Sequence, residues 1–156
     1  MMNGNYLKYH DVSTGDNVVI GHGAIIYPNV VIGDNSFIGP YSTIGEPTGS
    51  FYSKNSACVD KHDFKKTIIG ANSVIRSHAI IYEDVDIGEG FQCGHRVTIR
   101  EKSKFGINCS VGTLSDIQGT VLIGNYVRLH SNAHVGQHSI IGDYVWIFPY
   151  VVLTND

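Results

Sequence analysis

Apolar residues recur at every sixth position along most of this chain. From Ile69 the beat runs Ile69, Ile75, Ile81, Ile87, Cys93, Ile99, Phe105, Val111, Ile117, Ile123, Leu129, Val135, Ile141, Ile147 and Leu153, and no position fails. An earlier run, Ile20, Ile26, Ile32, Ile38 and Ile44, keeps the same spacing. The residue four places after each later beat is small or modest in size, from Ser73 and Ala79 to Val145 and Val151, with Phe91 the bulky exception. A period of six fits neither a helix of 3.6 residues per turn nor a plain alternating strand. It suits a short strand followed by a corner, with the beat residue and the one four later pointing inward. Glycine often follows the beat directly, as at Gly70, Gly88, Gly124 and Gly142. There it is expected to supply a corner conformation that a side chain disfavours.

Three such units make a triangular coil of eighteen residues. Ile69-Gly70, Ile87-Gly88, Phe105-Gly106, Ile123-Gly124 and Ile141-Gly142 show the longer period. Coils stacked at ~4.8 Å predict an all-β prism of about seven turns with an apolar axis. The whole chain, 1–156, reads as one domain, with a lead-in at 1–13 and uninterrupted coils over 69–156. The beat is still running at Leu153, so the last coil is expected to be covered, or the chain to be a shortened form.

The beat breaks once. Ile44 and Ile69 are twenty-five residues apart, one more than four repeats. The segment 46–67 reads as a loop thrown from a corner. Its Lys54, Lys61, Lys65 and Lys66, with Phe51 and Tyr52, suit a phosphate and a stacked ring. A ligand-covering loop is therefore favoured over a tolerated surface insertion.

Composition narrows the partners. A net charge of −3 is too mild for a nucleic-acid surface. No apolar stretch is long enough to span a membrane. The first residues lack the apolar centre of a signal peptide, so a cytoplasmic location is expected. Cys93 and Cys109 fall at inward positions and read as core, Cys58 lies in the loop, and no disulfide framework emerges.

Residues eighteen apart become neighbours, which turns sequence into candidate chemistry. Glu83 stacks on Glu101, with Asp84 beside it. Paired carboxylates raise one another's pKa, and one could then take a proton from an amine. Arg100 and Lys102 fit an ordinary solvated corner equally well. Asp116 stacks with His134 on an outward face, where a carboxylate would fix the imidazole's tautomer. A simple cross-strand polar pair is the plainer reading. His95 and His130 share another corner, beside a groove left bare by Gly94 and Gly112. Arg76, Arg96 and Arg100 lie near these corners and could hold phosphates. His130, His134 and His138 point apart in a coil, so no metal is expected. No P-loop, G-x-S-x-G elbow or C-x-x-C pair is present, so no covalent enzyme intermediate is expected.

The segments VIGDNSFIGPYSTIG and SIIGDYVWIFPYVVL resemble the hexapeptide-repeat acyltransferases, whose fold is a left-handed parallel β-helix. HRVTIREKS, SVGTLSDIQG, YVRLHSNAHVGQ and WIFPYVVLTND look most like acyl-CoA-dependent N-acyltransferases of nucleotide-linked amino sugars. That resemblance implies a homotrimer with sites between subunits. It also implies acyl-CoA as co-substrate, a nucleotide-linked amino sugar as acceptor, and direct attack by the amine with general-base help. NAHVGQHSIIG is similar to the segment that carries the catalytic histidine in acyl-carrier-dependent sugar N-acyltransferases. Gln137 stands at that histidine's position, and His134 matches the segment's second histidine.

The catalytic candidates are then Glu101, His134, Asp116, Glu83 and Asp84. The substrate-binding candidates are His95, Arg96, Arg100, Lys54 and Tyr52, and Trp146, Phe148 and Asn155 are expected to contact coenzyme A. Outward Tyr27, Tyr82, Tyr126, Tyr144, Phe148 and Tyr150 suggest a partner surface. An O-acyltransferase or small-amine acyltransferase, a zinc enzyme like the γ-class carbonic anhydrases and a non-catalytic scaffold stay open as alternatives.

Overall fold

A computed structural model describes residues 5–53 and 58–155. Among the described residues, twenty-two short strands wind into a parallel β-solenoid. They form three sheets of eight, seven and seven strands, each strand pairing with the one three later in the chain. The first sheet runs from Leu7–Lys8 to Val152–Leu153, the second from Ser13–Thr14 to Ile140–Ile141, and the third from Val19–Ile20 to Trp146–Ile147. The register is the eighteen-residue one, as in Thr98↔Asp116 and Asp116↔His134.

The beat residues are the core. From Ile20 to Ile147 they are buried, along with Ala79, Val85, Phe91, Val97, Val121 and Val127 four places after a beat. Phe91 is the largest fully buried side chain and meets Phe105 edge-on at 5.2 Å. Polar residues in these columns are satisfied by corner carbonyls. Ser115 donates to the His130 carbonyl at 2.9 Å and Ser73 to that of Gly70 at 2.6 Å. Among the described residues, no buried side-chain polar atom lacks a partner. The core thiols are inert, and burial pushes Cys93 up to about 12.

The corner glycines work differently from the expectation. The left-handed corner falls two residues after the glycine position, and mostly on other residue types. His78, Arg96, Leu114, Asn132 and Tyr150 all have φ near 60°. Each such conformation costs about 1–2 kcal/mol in a residue with a Cβ. The corner N–H offsets this by bonding the coil before, as from Arg96 to the Ser77 carbonyl at 3.1 Å and from Asn132 to that of Thr113 at 2.9 Å. The glycine after the beat is needed for closeness instead. A Cβ on Gly33 would lie 2.4 Å from the Ala71 nitrogen, and one on Gly70 would lie 2.5 Å from that of Glu89.

The break in the beat is an excursion from the corner between the first and second sheets. It carries a short helix, Gly49–Ser53, and a 3-10 turn, Val59–Lys61. At its start Ile81 pairs with Ile44 but Tyr82 pairs with Glu46, so Gly45 is bulged out at φ +80°. The excursion folds back on the solenoid through buried Phe51 and Phe64. Phe64 stacks on Tyr27 at 5.6 Å, and Tyr27 stacks on Tyr9 at 5.4 Å. Tyr27 is therefore covered by its own chain and is no free partner surface. Tyr82 likewise lies under the Arg100 guanidinium, 5.4 Å from the ring centre.

Candidate functional site

The first sheet's outward face carries a carboxylate–imidazole pair. Asp116 and His134 occupy adjacent rungs, and His134 Nδ1 lies 3.1 Å from Asp116 Oδ2. The Gln118 amide donates to the same oxygen at 2.7 Å. Gln118 projects from the same strand edge two residues on, so it restrains the carboxylate that orients the ring. A carboxylate only accepts, so Nδ1 carries the hydrogen and Nε2 is left with its lone pair. Among the described residues Nε2 has no hydrogen-bond partner. Both side chains are about two-fifths exposed, at 39% and 40%.

Along this face, toward the excursion, the corner between the first and second sheets opens into a cavity of about 500 Å³. Phe51, Cys58, Lys61, His62 and Lys65 from the excursion face Glu83, Asp84, Glu101 and Lys102 from the coils. Glu101 is held by Arg100, whose Nε and Nη2 donate to its two oxygens at 3.1 and 2.9 Å. Glu83 is 3% exposed, with both oxygens engaged by the excursion. The expected pair of free acids is therefore absent: one carboxylate is ion-paired and the other is buried under hydrogen bonds. Asp84 and Lys102 are exposed at the rim. Tyr52, from the short helix, turns its hydroxyl away to Glu46 Oε1 at 2.6 Å. Partial burial and that carboxylate raise its pKa above the ordinary phenol value. Lys54 lies outside the described residues.

The remaining candidates lie elsewhere. His95 and Arg96 sit, exposed, at the corner between the third and first sheets, where His95 Nδ1 lies 2.6 Å from the Ser77 hydroxyl. They do not join Arg100 and Tyr52 in one site within the chain. His95 stacks with Thr113 rather than with His130, because His130 is one position out of its column. Gly94 and Gly112 do floor a groove, lined by Arg76, Arg128 and His130. Their bareness is a packing need, however, since a Cβ on Gly112 would lie 2.3 Å from the Ser131 nitrogen. Beyond this groove Trp146 and Phe148 stack at 5.5 Å, and Trp146 lies over His130 at 5.6 Å. This shelf is on the third sheet, whereas Asn155 follows the last strand of the first. The three coenzyme candidates are thus split between faces.

Sequence reasoning missed His62 and Gln118. Eighteen-residue stacking cannot reach His62, because it lies in the excursion. Gln118 was legible as the outward residue two after Asp116. Among the described residues, no three His, Cys, Asp or Glu side chains gather to hold a metal ion.

The family described as bacterial transferase hexapeptide (six repeats) matches residues 11–46, within the early coils. That segment carries the early six-residue beat of Ile20, Ile26, Ile32, Ile38 and Ile44. No curated protein matches this chain in sequence. Its fold is similar to that of UDP-N-acetylglucosamine acyltransferase from Campylobacter jejuni, with TM-score 0.64 and 17% identity over 94% of this chain and 68% of that one. It is also similar to the UDP-N-acetylglucosamine acyltransferase of Bacteroides fragilis, with TM-score 0.59 and 18% identity over 97% of this chain and 70% of that one. At these identities the likeness is one of fold.

Proposed function

We propose that this protein transfers an acyl group from acyl-CoA to the amino group of a nucleotide-linked amino sugar, with His134 as general base. The Asp116–His134 hydrogen bond carries this reading, because it leaves Nε2 as an oriented, unoccupied proton acceptor on an open face. The thioester is already activated. The protein's task is to hold the amine against the carbonyl and accept its proton as the C–N bond forms. The thiolate of coenzyme A then leaves as the tetrahedral intermediate collapses. Two fold neighbours are named for acylating UDP-N-acetylglucosamine, which supports a nucleotide-linked sugar as acceptor; its amine is already acylated, so the choice of an amine rests on the resemblance in sequence.

The cavity under the excursion, lined by Lys61, Lys65 and Lys102 and by Asp63, Asp84 and Glu101, receives the acceptor. The aromatic shelf of Trp146 and Phe148 takes the coenzyme. These surfaces lie on different faces of one chain, and a homotrimer brings the first face of one copy against the third face of the next. Exposed Tyr126, Tyr144, Trp146, Phe148 and Tyr150 border that third face and supply apolar area for such contact.

The test is thiol release from acetyl-CoA and short-chain acyl-CoAs across a panel of nucleotide-linked amino sugars, with hydroxyl-only sugars alongside. Amine-dependent release that His134→Ala abolishes supports the reading. Release with hydroxyl sugars alone would move the assignment to O-acyl transfer. No release with any acceptor, together with no thermal stabilisation by coenzyme A, would leave a binding scaffold.

A further inference from the structure

One carboxylate fastens both legs of the excursion. Glu83 comes from the coil wall, not from the excursion itself. Its Oε1 accepts from the Thr48 N–H at 3.0 Å, on the outgoing leg. The same oxygen lies 2.9 Å from His62 Nε2, and Oε2 accepts from the Lys65 N–H at 2.9 Å, both on the returning leg. As Glu83 is an acceptor here, His62 donates from Nε2. The imidazole is set edge to face against Phe64 at 4.5 Å and Phe51 at 5.3 Å. Phe51, Lys61, His62 and Lys65 are the cavity's excursion-side wall. The position of that wall therefore depends on three hydrogen bonds to one buried side chain.

We propose that Glu83 is a positioning residue that closes the excursion over the acceptor cavity and takes no part in proton transfer. This rests on the reading of that cavity as the acceptor site. Both oxygens are occupied by donors, so the carboxylate cannot reach a substrate amine without releasing the wall. Its removal should weaken acceptor binding while leaving chemistry at His134 largely intact. Glutamine in its place keeps the size but sets an amide N–H against one of the backbone donors. A buried donor left without a partner costs enough to shift the closed–open balance roughly tenfold or more.

Two readouts separate this from a chemical role. Cys58 lines the cavity, whereas Cys93 and Cys109 are buried in the core. In Glu83→Gln, the labelling rate of Cys58 by a small thiol reagent should rise about tenfold, with the two core thiols still protected. The acceptor KM should rise by a similar factor, with kcat changed less than about threefold and coenzyme A affinity unchanged. His62→Gln, which leaves Glu83 in place, should give a smaller shift in the same direction and covers the case that Glu83→Gln fails to fold. A kcat loss above about a hundredfold with unchanged Cys58 labelling would overturn the proposal and make Glu83 a base. Unchanged labelling in both folded variants would overturn it as well. If no acceptor is turned over by the parent protein, the function is wrong, and Cys58 labelling still decides whether Glu83 holds the wall.

Discussion

Asp116→Asn tests how much the carboxylate contributes beyond orienting His134. The Asn oxygen can keep the position of Oδ2, accepting from His134 Nδ1–H and from Gln118, so the tautomer is preserved while the charge is lost. The pair is about two-fifths exposed in the single chain. Ion pairs this open contribute about 0.2–1 kcal/mol after screening. At about 1.4 kcal/mol per tenfold, that is a loss in kcat of about five times or less. Removing the base itself is far costlier, and His134→Ala should lose about 10²–10⁴ in kcat. Both substitutions lie on an outward face and should shift stability by less than about 0.5 kcal/mol. Steady-state thiol release at saturating acyl-CoA and acceptor measures the rates, and a thermal melt checks the fold. If His134→Ala stays within twofold of the parent, the general-base assignment is refuted. If Asp116→Asn costs as much as His134→Ala, the screening argument is refuted, because only a dry site gives a carboxylate that weight.

Trp146→Ala should weaken coenzyme A binding about two- to tenfold by calorimetry, from the loss of one stacked ring, and unchanged affinity would remove the shelf from the coenzyme site. Phe91→Ala should cost about 3–5 kcal/mol in denaturant unfolding, since the ring is fully buried and no neighbour can collapse into its place without shifting a rung. Tyr52 should make the fold lose stability in alkali. Its folded-state pKa is raised by partial burial and by Glu46, so its contribution is present below the unfolded phenol value of about 10 and is lost as pH rises toward the folded value. Denaturation between pH 8 and about 11 should show a shallower decline in Tyr52→Phe, and an identical decline would show that Tyr52 is uncoupled from folding.

The sequence by itself determined the solenoid, its core and its neighbours. The period is so short that each inward position repeats along one axis, and the hydrophobic effect acts on every coil alike. Ile99 and Val97 could be assigned to the core, and Asp116 to His134, by counting alone. The tertiary structure decided what each polar group is free to do. Glu83 and Glu101 are stacked as counted, yet one is fastened to Thr48, His62 and Lys65 and the other to Arg100. The excursion follows no period, so the contacts of His62 and Phe64 came only from packing. The corner glycines show the same division: the pattern marks where they fall, but the approach of the next coil's backbone gives the reason. Periodicity records what repeats, whereas hydrogen-bond occupancy and access to a ligand depend on the single places where the repeat is broken.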